Sequence, residues 1–527
     1  MADPETKAIS TDAEDTTLEH MGYQPELKRS FGLIGMIGFS FSIVTCWSAL
    51  GGVLVTGVNA GGPPVMIWGW LGICCVALCV AYSMAEMCSE YPVAGGQYSW
   101  VFILAPKSIR RQFSYLTGWF MIIGLLAVGA TNSFICANFI LGQANLVNPS
   151  YVIERWHTVL VAWAVTLFAA FMNLWGSRVL DKLSKGFLVF NIVAFIVTIT
   201  TILACNKNKQ SPSFVFKEFQ NFTGFGTSMA GIIGILQPGF GMCCYDAPAH
   251  MTEEIKDASK QAPRAIVLSV YLGAVTGFIF LIAVCFCIGD IDTVASTPTL
   301  VPLIQIYFDS TQSNIGSCFL ASLMVIIDIG AANGLLAEGA RALYAFARDE
   351  GLPFSSFIRR VEPKHRMPVV AIALGALIQM AFCSIYFGTV TGFNTVIAIG
   401  TEGFYLSYAM PLLVRLISHF NGTHRQLTGP WAMSPAVSLT LNAIGLTYLL
   451  FACITFNFPS VYPVTSENMN YTSAAVGVIM FIATLTWFTT AKKQFSGPEI
   501  HIEGVADVGG NAVDFDQVGR IEKKSAM

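Results

Sequence analysis

Twelve times along this chain a mostly apolar run recurs that is about 20 residues long or longer. The runs fall near 31–58, 64–88, 114–142, 157–176, 186–205, 227–250, 265–288, 314–338, 368–387, 393–416, 434–457 and 472–491. About 20 residues at a rise of 1.5 Å each cross the ~30 Å hydrocarbon core of a bilayer. In hydrocarbon the backbone must satisfy its own amides and carbonyls, so runs of this length are helices. Composition points the same way. The chain is 54% hydrophobic and 12% charged, whereas soluble domains carry about 25% charged residues. The expected fold class is therefore an all-α integral membrane protein with twelve transmembrane helices and no room for a sizeable soluble domain.

Cytoplasmic loops carry the excess of Lys and Arg. With the N-terminus inside, the inner loops and span ends hold 21 of the 29 Lys and Arg, from Lys28 through Lys107, Arg110, Arg341 and Arg415 to Lys493. Only Arg155, Lys207, Lys209 and Lys217 fall outside, and the rest lie in the tails. Both termini are expected to be cytoplasmic, in a multi-pass protein of the plasma membrane. About 30 polar residues precede the first span, so no cleavable signal peptide is expected. Residues 1–27 and 496–527 are polar and read as disordered cytoplasmic tails. The 14 cysteines lie almost wholly within spans without metal-type CxxC pairs, and read as small buried hydrophobes. Asn221 and Asn470 head acceptor sequons in outer loops, while the sequon at Asn421 falls inside.

The sixth span contains its own interruption. Between Pro238 and Cys244 it carries one proline and the glycines Gly239 and Gly241, which remove a donor and release the backbone from helical geometry. A broken helix survives in lipid only where protein or a watered cavity satisfies the freed groups. The first span has a milder counterpart in TCWSALGG, Thr45–Gly52. The two lie five spans apart, an odd offset that inverts orientation. Spans 1–5 and 6–10 are therefore expected to form a 5+5 inverted repeat with discontinuous helices 1 and 6, the design of many secondary transporters. In domain terms this gives a first five-helix repeat at 28–206, an extracellular loop at 207–226, a second repeat at 227–416, and two extra C-terminal helices within 417–495. In such a design, amides freed at half-helix N-termini face an anionic group, and freed carbonyls face a cation.

Three stretches carry a resemblance. MAEMCSEYPVAGGQYSWV, Met84–Val101, resembles the signature after the second helix of the amino acid, polyamine and organocation (APC) superfamily of permeases. DAPAHMTEEIKDASKQAPRAI, Asp246–Ile266, resembles the pattern joining helices six and seven, and ARDEGLP, Ala347–Pro353, the segment after helix eight. In the right order and between the right spans, they extend the resemblance over about 28–495. The detail, including EGFYLSYAMP at Glu402–Pro411, is most similar to the fungal amino acid/choline transporter family of GABA and choline permease type. The first helix departs from the pattern, with CWSALG where many members have a Gly-Ser-Gly break. The resemblance implies a substrate site between the breaks, formed by Thr45, Trp47, Ser48, Ala49 and Gly51 with Phe240, Gly241, Met242 and Cys243, and Phe240 as an aromatic gate.

Intramembrane carboxylates are costly and mark pathways or relays. Asp328 and Glu402 lie near mid-depth, and Asp246 one turn past the break in span six; Asp246 and Glu402 join the substrate set, and all three are candidates for proton coupling. Glu338 has Arg341 three residues on, a spacing that predicts a local ion pair. Glu86 lies at the inner end of span two, within reach of interfacial water. No Lys or Arg stands at mid-depth, which favours a substrate bearing an ammonium, zwitterion or plain cation, with Trp47, Phe240, Tyr245, Phe404 and Tyr405 as cation–π faces. A buried carboxylate that is costly as an anion can take and release a proton during alternating access. The segment Asp328–Gly334 offers no Ser or Thr for sodium, though Asn333 and backbone carbonyls could coordinate it. The expected function is a secondary transporter importing an amino acid or related amine such as GABA or choline, with proton and membrane lipid as partners and no cofactor, metal or nucleic acid. The alternative is a non-transporting nutrient sensor on the same scaffold. No HExxH, GxSxG or P-loop pattern supports an enzyme, and the histidines read as loop and tail residues.

Overall fold

A computed structural model describes residues 32–498 apart from 175–176, 363–366, 389–391 and 467. The expected disordered N-terminal tail, and the C-terminal tail from 499 on, lie outside the described residues. The main helices in chain order are α1 (Leu33–Val44), α2 (Cys46–Gly52), α3 (Leu54–Asn59), α4 (Gly62–Glu90), α5 (Gln97–Leu104), α6 (Arg110–Val147), α7 (Arg155–Leu174) and α8 (Ser177–Cys205). They continue with α9 (Thr227–Gly234), α10 (Leu236–Gly241), α11 (Ala247–His250), α12 (Ala258–Cys287), α13 (Asn314–Arg348), α14 (Val369–Gly388), α15 (Gly392–Phe420), α16 (Pro435–Thr455) and α17 (Thr472–Thr486). A two-residue antiparallel pairing, β1 (Ala60–Gly61) with β2 (Gln220–Asn221), ties the end of α3 to the loop before α9.

Among the described residues, eleven helices are long and apolar enough to cross a membrane, counting α1 and α2 as one. The sixth expected span is not among them, because its backbone is cut into α9, α10 and α11, each too short by itself. Burial separates a centre from a rim. The most apolar window of α6 is wholly buried and that of α15 is 83% buried, while those of α8 and α17 are 28% and 17% buried. Large apolar side chains such as Phe168, Phe171, Ile196, Phe481 and Phe488 point outward from the rim, as a lipid-facing belt requires.

The centre is drawn together by small residues. A Cβ on Gly124 of α6 would stand 2.6 Å from the Phe404 nitrogen, and one on Gly403 of α15 the same distance from the Gly124 nitrogen. The two backbones therefore touch, and association in lipid relies on such close van der Waals approach.

Both expected interruptions exist, with corrected extents. In the first span only Thr45 leaves helical geometry (φ 15°, ψ 50°) before the helix resumes at Cys46. The ladder restarts with the Ser48 and Ala49 amides both donating to the Thr45 carbonyl. Trp47, Ser48, Ala49 and Gly51 are helical, and a second irregularity at Val53 follows them. In the sixth span the break lies at 242–246 rather than 238–244. Pro238 sits in the first turn of α10, where its missing N–H would have had no helical partner in any case. The chain then unwinds through Met242 (φ −118°, ψ 49°) and Cys244 (φ 64°) and resumes at Ala247.

Candidate functional site

The two interrupted segments lie against each other. Gln237 of α10 donates to the Leu50 carbonyl of α2 at 3.3 Å, which supplies a partner near the end of a half-helix. A Cβ at Gly241 would stand 2.7 Å from Leu50 and 3.2 Å from Trp70, so only glycine lets α10 lie this close to α2. On the other side of α10, Tyr405 of α15 donates to the Gly239 carbonyl at 3.0 Å and shares a 2.8 Å hydrogen bond with Tyr448. Cys243 Sγ donates to the Phe240 carbonyl at 2.9 Å. Thr45, Trp47, Ser48, Gly51, Phe240, Gly241, Met242 and Cys243 are all buried, and Ala49 is partly buried.

The three expected carboxylates have separate neighbourhoods. Asp328 of α13 accepts from Ser48 Oγ of α2 at 2.8 Å, and its carbonyl accepts from Asn132 of α6 at 2.7 Å. Its second carboxylate oxygen is buried without a hydrogen-bond partner among the described residues. Glu402 of α15 accepts from Asn457 at 2.9 Å. Asp246 lies deeper toward the end of the bundle expected to be cytoplasmic, where it accepts from Gln97 Nε2 and Tyr408 Oη at 2.5 Å each and from His250 Nε2 at 3.0 Å. The partners of Asp328 and Glu402 are thus neutral, which leaves those carboxylates able to answer a cation.

The aromatic residues divide in the same way. Trp47 does not join a box with Phe240. Its indole donates to Asn191 at 2.7 Å and its ring lies 5.6 Å from both Phe195 and Phe280. Tyr245 and Phe404 gather on Tyr408, at 5.1 and 5.7 Å between ring centres, while Tyr405 packs with Tyr448 and Phe456.

Beyond the breaks, the three stretches that carried the resemblance meet. Gln97 of the first reaches Asp246 of the second, and His250 bonds the Ala94 carbonyl at 3.3 Å. Tyr98 donates to Asp349 of the third at 2.7 Å, and Arg348 pairs with Glu253 at 3.0 Å.

Three expectations fail here. Glu338 does not pair with Arg341, because that guanidinium turns across to Glu254 at 2.5 Å and donates to the Ala337 carbonyl. Glu86 does not reach interfacial water. It is buried, paired with Arg415 at 2.6 Å, and accepts from Ser438 Oγ and the Met433 amide. His250 is not a loop histidine but a buried member of α11. Its signal was present in the sequence, since Asp246 and His250 stand four apart, a spacing that places side chains on one helical face. Asn132, Asn191 and Gln237 were legible on the same reasoning as the carboxylates, because an amide in hydrocarbon also needs a partner.

A cavity of about 30 Å³ lies toward the opposite end, lined by Thr56, Ile233, Leu236, Thr395, Thr455 and Phe456 among others. It has room for a water molecule and is far below the ~300 Å³ of a small-molecule pocket. A wider groove of about 620 Å³, lined by Leu78, Tyr82 and Trp431, contains none of the expected site residues.

The sequence profile described as amino acid permease matches residues 31–482. A protein of Macrophomina phaseolina, provisionally named an amino acid/polyamine transporter, is 62% identical over 84% of this chain and 97% of its own length. The choline transporter of Saccharomyces cerevisiae is 30% identical over 90% of this chain and 83% of its own. An amino-acid permease of Arabidopsis thaliana is 27% identical over 92% and 96% respectively.

Proposed function

The chain belongs to the amino acid permease family of the APC superfamily, and from that premise we propose that it imports an amino acid or related amine, GABA or choline in type, by proton-coupled alternating access. The observation that carries this reading is the contact between two interrupted segments, α1–α2 and α9–α11, with Asp328 bonded to Ser48 of α2 and Glu402 one turn before Tyr405, whose hydroxyl bonds the Gly239 carbonyl of α10.

In this reading the freed peptide groups around Thr45 and Met242–Tyr245 receive the polar ends of the substrate, Phe240 closes over it, and a carboxylate answers its ammonium. Ser48, Ala49, Gly51, Gly241 and Cys243 form the walls. The present conformer, tightly packed around these residues, is one closed to the substrate, and α9–α11 must move for it to enter. The twelve spans, with α9–α11 as the sixth, would be two inverted five-helix repeats at 28–206 and 227–416 and two further helices within 417–495. The loop 207–226 would be extracellular and both termini cytoplasmic, in the plasma membrane.

Radiolabelled uptake into cells lacking their own permeases, across GABA, choline, ethanolamine and common amino acids, tests this directly. Accumulation above equilibrium that a protonophore abolishes is the expected result. Specific binding of a panel member without any accumulation would instead make the chain a sensor.

A further inference from the structure

Sequence spacing predicts a local ion pair of Glu338 with Arg341, and the surroundings of Glu338 contradict that role. It is fully buried on α13, and among the described residues neither of its oxygens has a hydrogen-bond partner. A carboxylate in that position gains nothing from being ionised and loses its hydration.

One of its oxygens, one of Asp246's and one ring nitrogen of His250 all lie within 4.8 Å of one another. The two companions are already committed. Asp246 accepts from Tyr408 and Gln97 and is hydrogen-bonded to His250. Both ring nitrogens of His250 are engaged, one with the Asp246 carboxylate and the other with the Ala94 carbonyl.

An ionised Glu338 sets a second carboxylate charge beside Asp246 in the same buried group. One proton on Glu338 removes that second charge and provides an O–H donor where there was none. A metal ion would need several uncommitted ligands, and only Glu338 has any. Cys243 and Cys244 face the two carboxylates, Tyr245 and Tyr408 border Asp246, and the Arg341–Glu254 ion pair lies one turn along α13. None of these brings an unpaired cation to Glu338.

The place of the group in the fold ties its charge to the moving part. Asp246 ends the unwound segment that begins at Met242, and α11 starts at the next residue, whereas Glu338 belongs to the long helix α13. Like charges on Asp246 and Glu338 oppose close packing of α11 against α13, and protonation of Glu338 removes that opposition.

We propose that Glu338 takes up and releases the transported proton, against the fixed Asp246–His250 pair and not through Asp328 or Glu402. This deepens the proton-coupled reading above and rests on it. In permease-deficient cells supplied with choline or GABA, wild-type uptake should fall on the alkaline side by up to about tenfold per pH unit, as one titrating group allows. Glu338→Gln should change less than about twofold over the same range and lose accumulation above equilibrium, while exchange with preloaded substrate persists.

Glu338→Gln that keeps proton-driven accumulation overturns the assignment and leaves the coupled reading intact. Wild-type accumulation indifferent to a protonophore sinks the coupled reading itself. A substrate-independent readout is the pH-difference infrared spectrum of the purified full chain. A protonated-carboxyl band should vanish in Glu338→Gln and persist in Asp328→Asn and Glu402→Gln, and its survival in Glu338→Gln refutes the proposal. Should Glu338→Gln not fold, Glu338→Asp should retain the band with a displaced pH midpoint; an unmoved midpoint refutes it equally.

Discussion

Glu402→Gln separates a cationic from a zwitterionic substrate on electrostatic grounds. The change is isosteric, and the Asn457 amide that donates to Glu402 at 2.9 Å can donate equally to a glutamine oxygen, so packing is preserved and only the charge is lost. An ammonium about 4 Å from the carboxylate gains roughly 4 kcal/mol at an effective dielectric of about 20. For choline that is the whole effect. For GABA the substrate's own carboxylate, about 8 Å away in an extended pose, is repelled by roughly 2 kcal/mol, leaving a net gain of about 2. At 1.4 kcal/mol per tenfold, the ceilings on lost affinity are about a thousandfold for the cation and about thirtyfold for the zwitterion. Competition uptake of both substrates in permease-deficient cells, with surface expression matched, measures the ratio. Equal losses for the two would refute the placement of Glu402 beside the ammonium.

Glu86→Gln strands the buried Arg415 guanidinium and should destabilise the chain by about 3–5 kcal/mol; the double change with Arg415→Met should cost less than the sum of the two single changes, read by reversible unfolding in mixed detergent micelles. Gly403→Ala forces a Cβ against the Gly124 backbone and should cost about 1–3 kcal/mol, whereas Gly72→Ala, with nothing within 4 Å, should be neutral in the same assay. Tyr405→Phe removes the donor to the Gly239 carbonyl and the contact with Tyr448. It should weaken substrate affinity by about 0.5–1.5 kcal/mol, seen as a raised half-saturation concentration with unchanged expression.

The sequence by itself determined the solvent and hence the helices. Runs of ~20 apolar residues admit no other backbone in hydrocarbon, and eleven of the described helices meet that length and hydropathy. It also located the two interruptions to within a few residues, although Pro238, Gly239 and Gly241 themselves lie in α10 and the chain unwinds just after them. What it could not determine was partnership. Arg341 stands one turn from Glu338 in the chain and yet pairs with Glu254, 87 residues away. Glu86 finds Arg415 across 329 residues. Local spacing fixes which groups can meet on one helix face. In a medium without water every charge must nevertheless be satisfied by whatever helix packs against it, and that neighbour is decided only when the helices assemble. The same assembly brought Gln97, Asp246, His250, Glu338 and Tyr408 into one buried group from four separated segments of the chain.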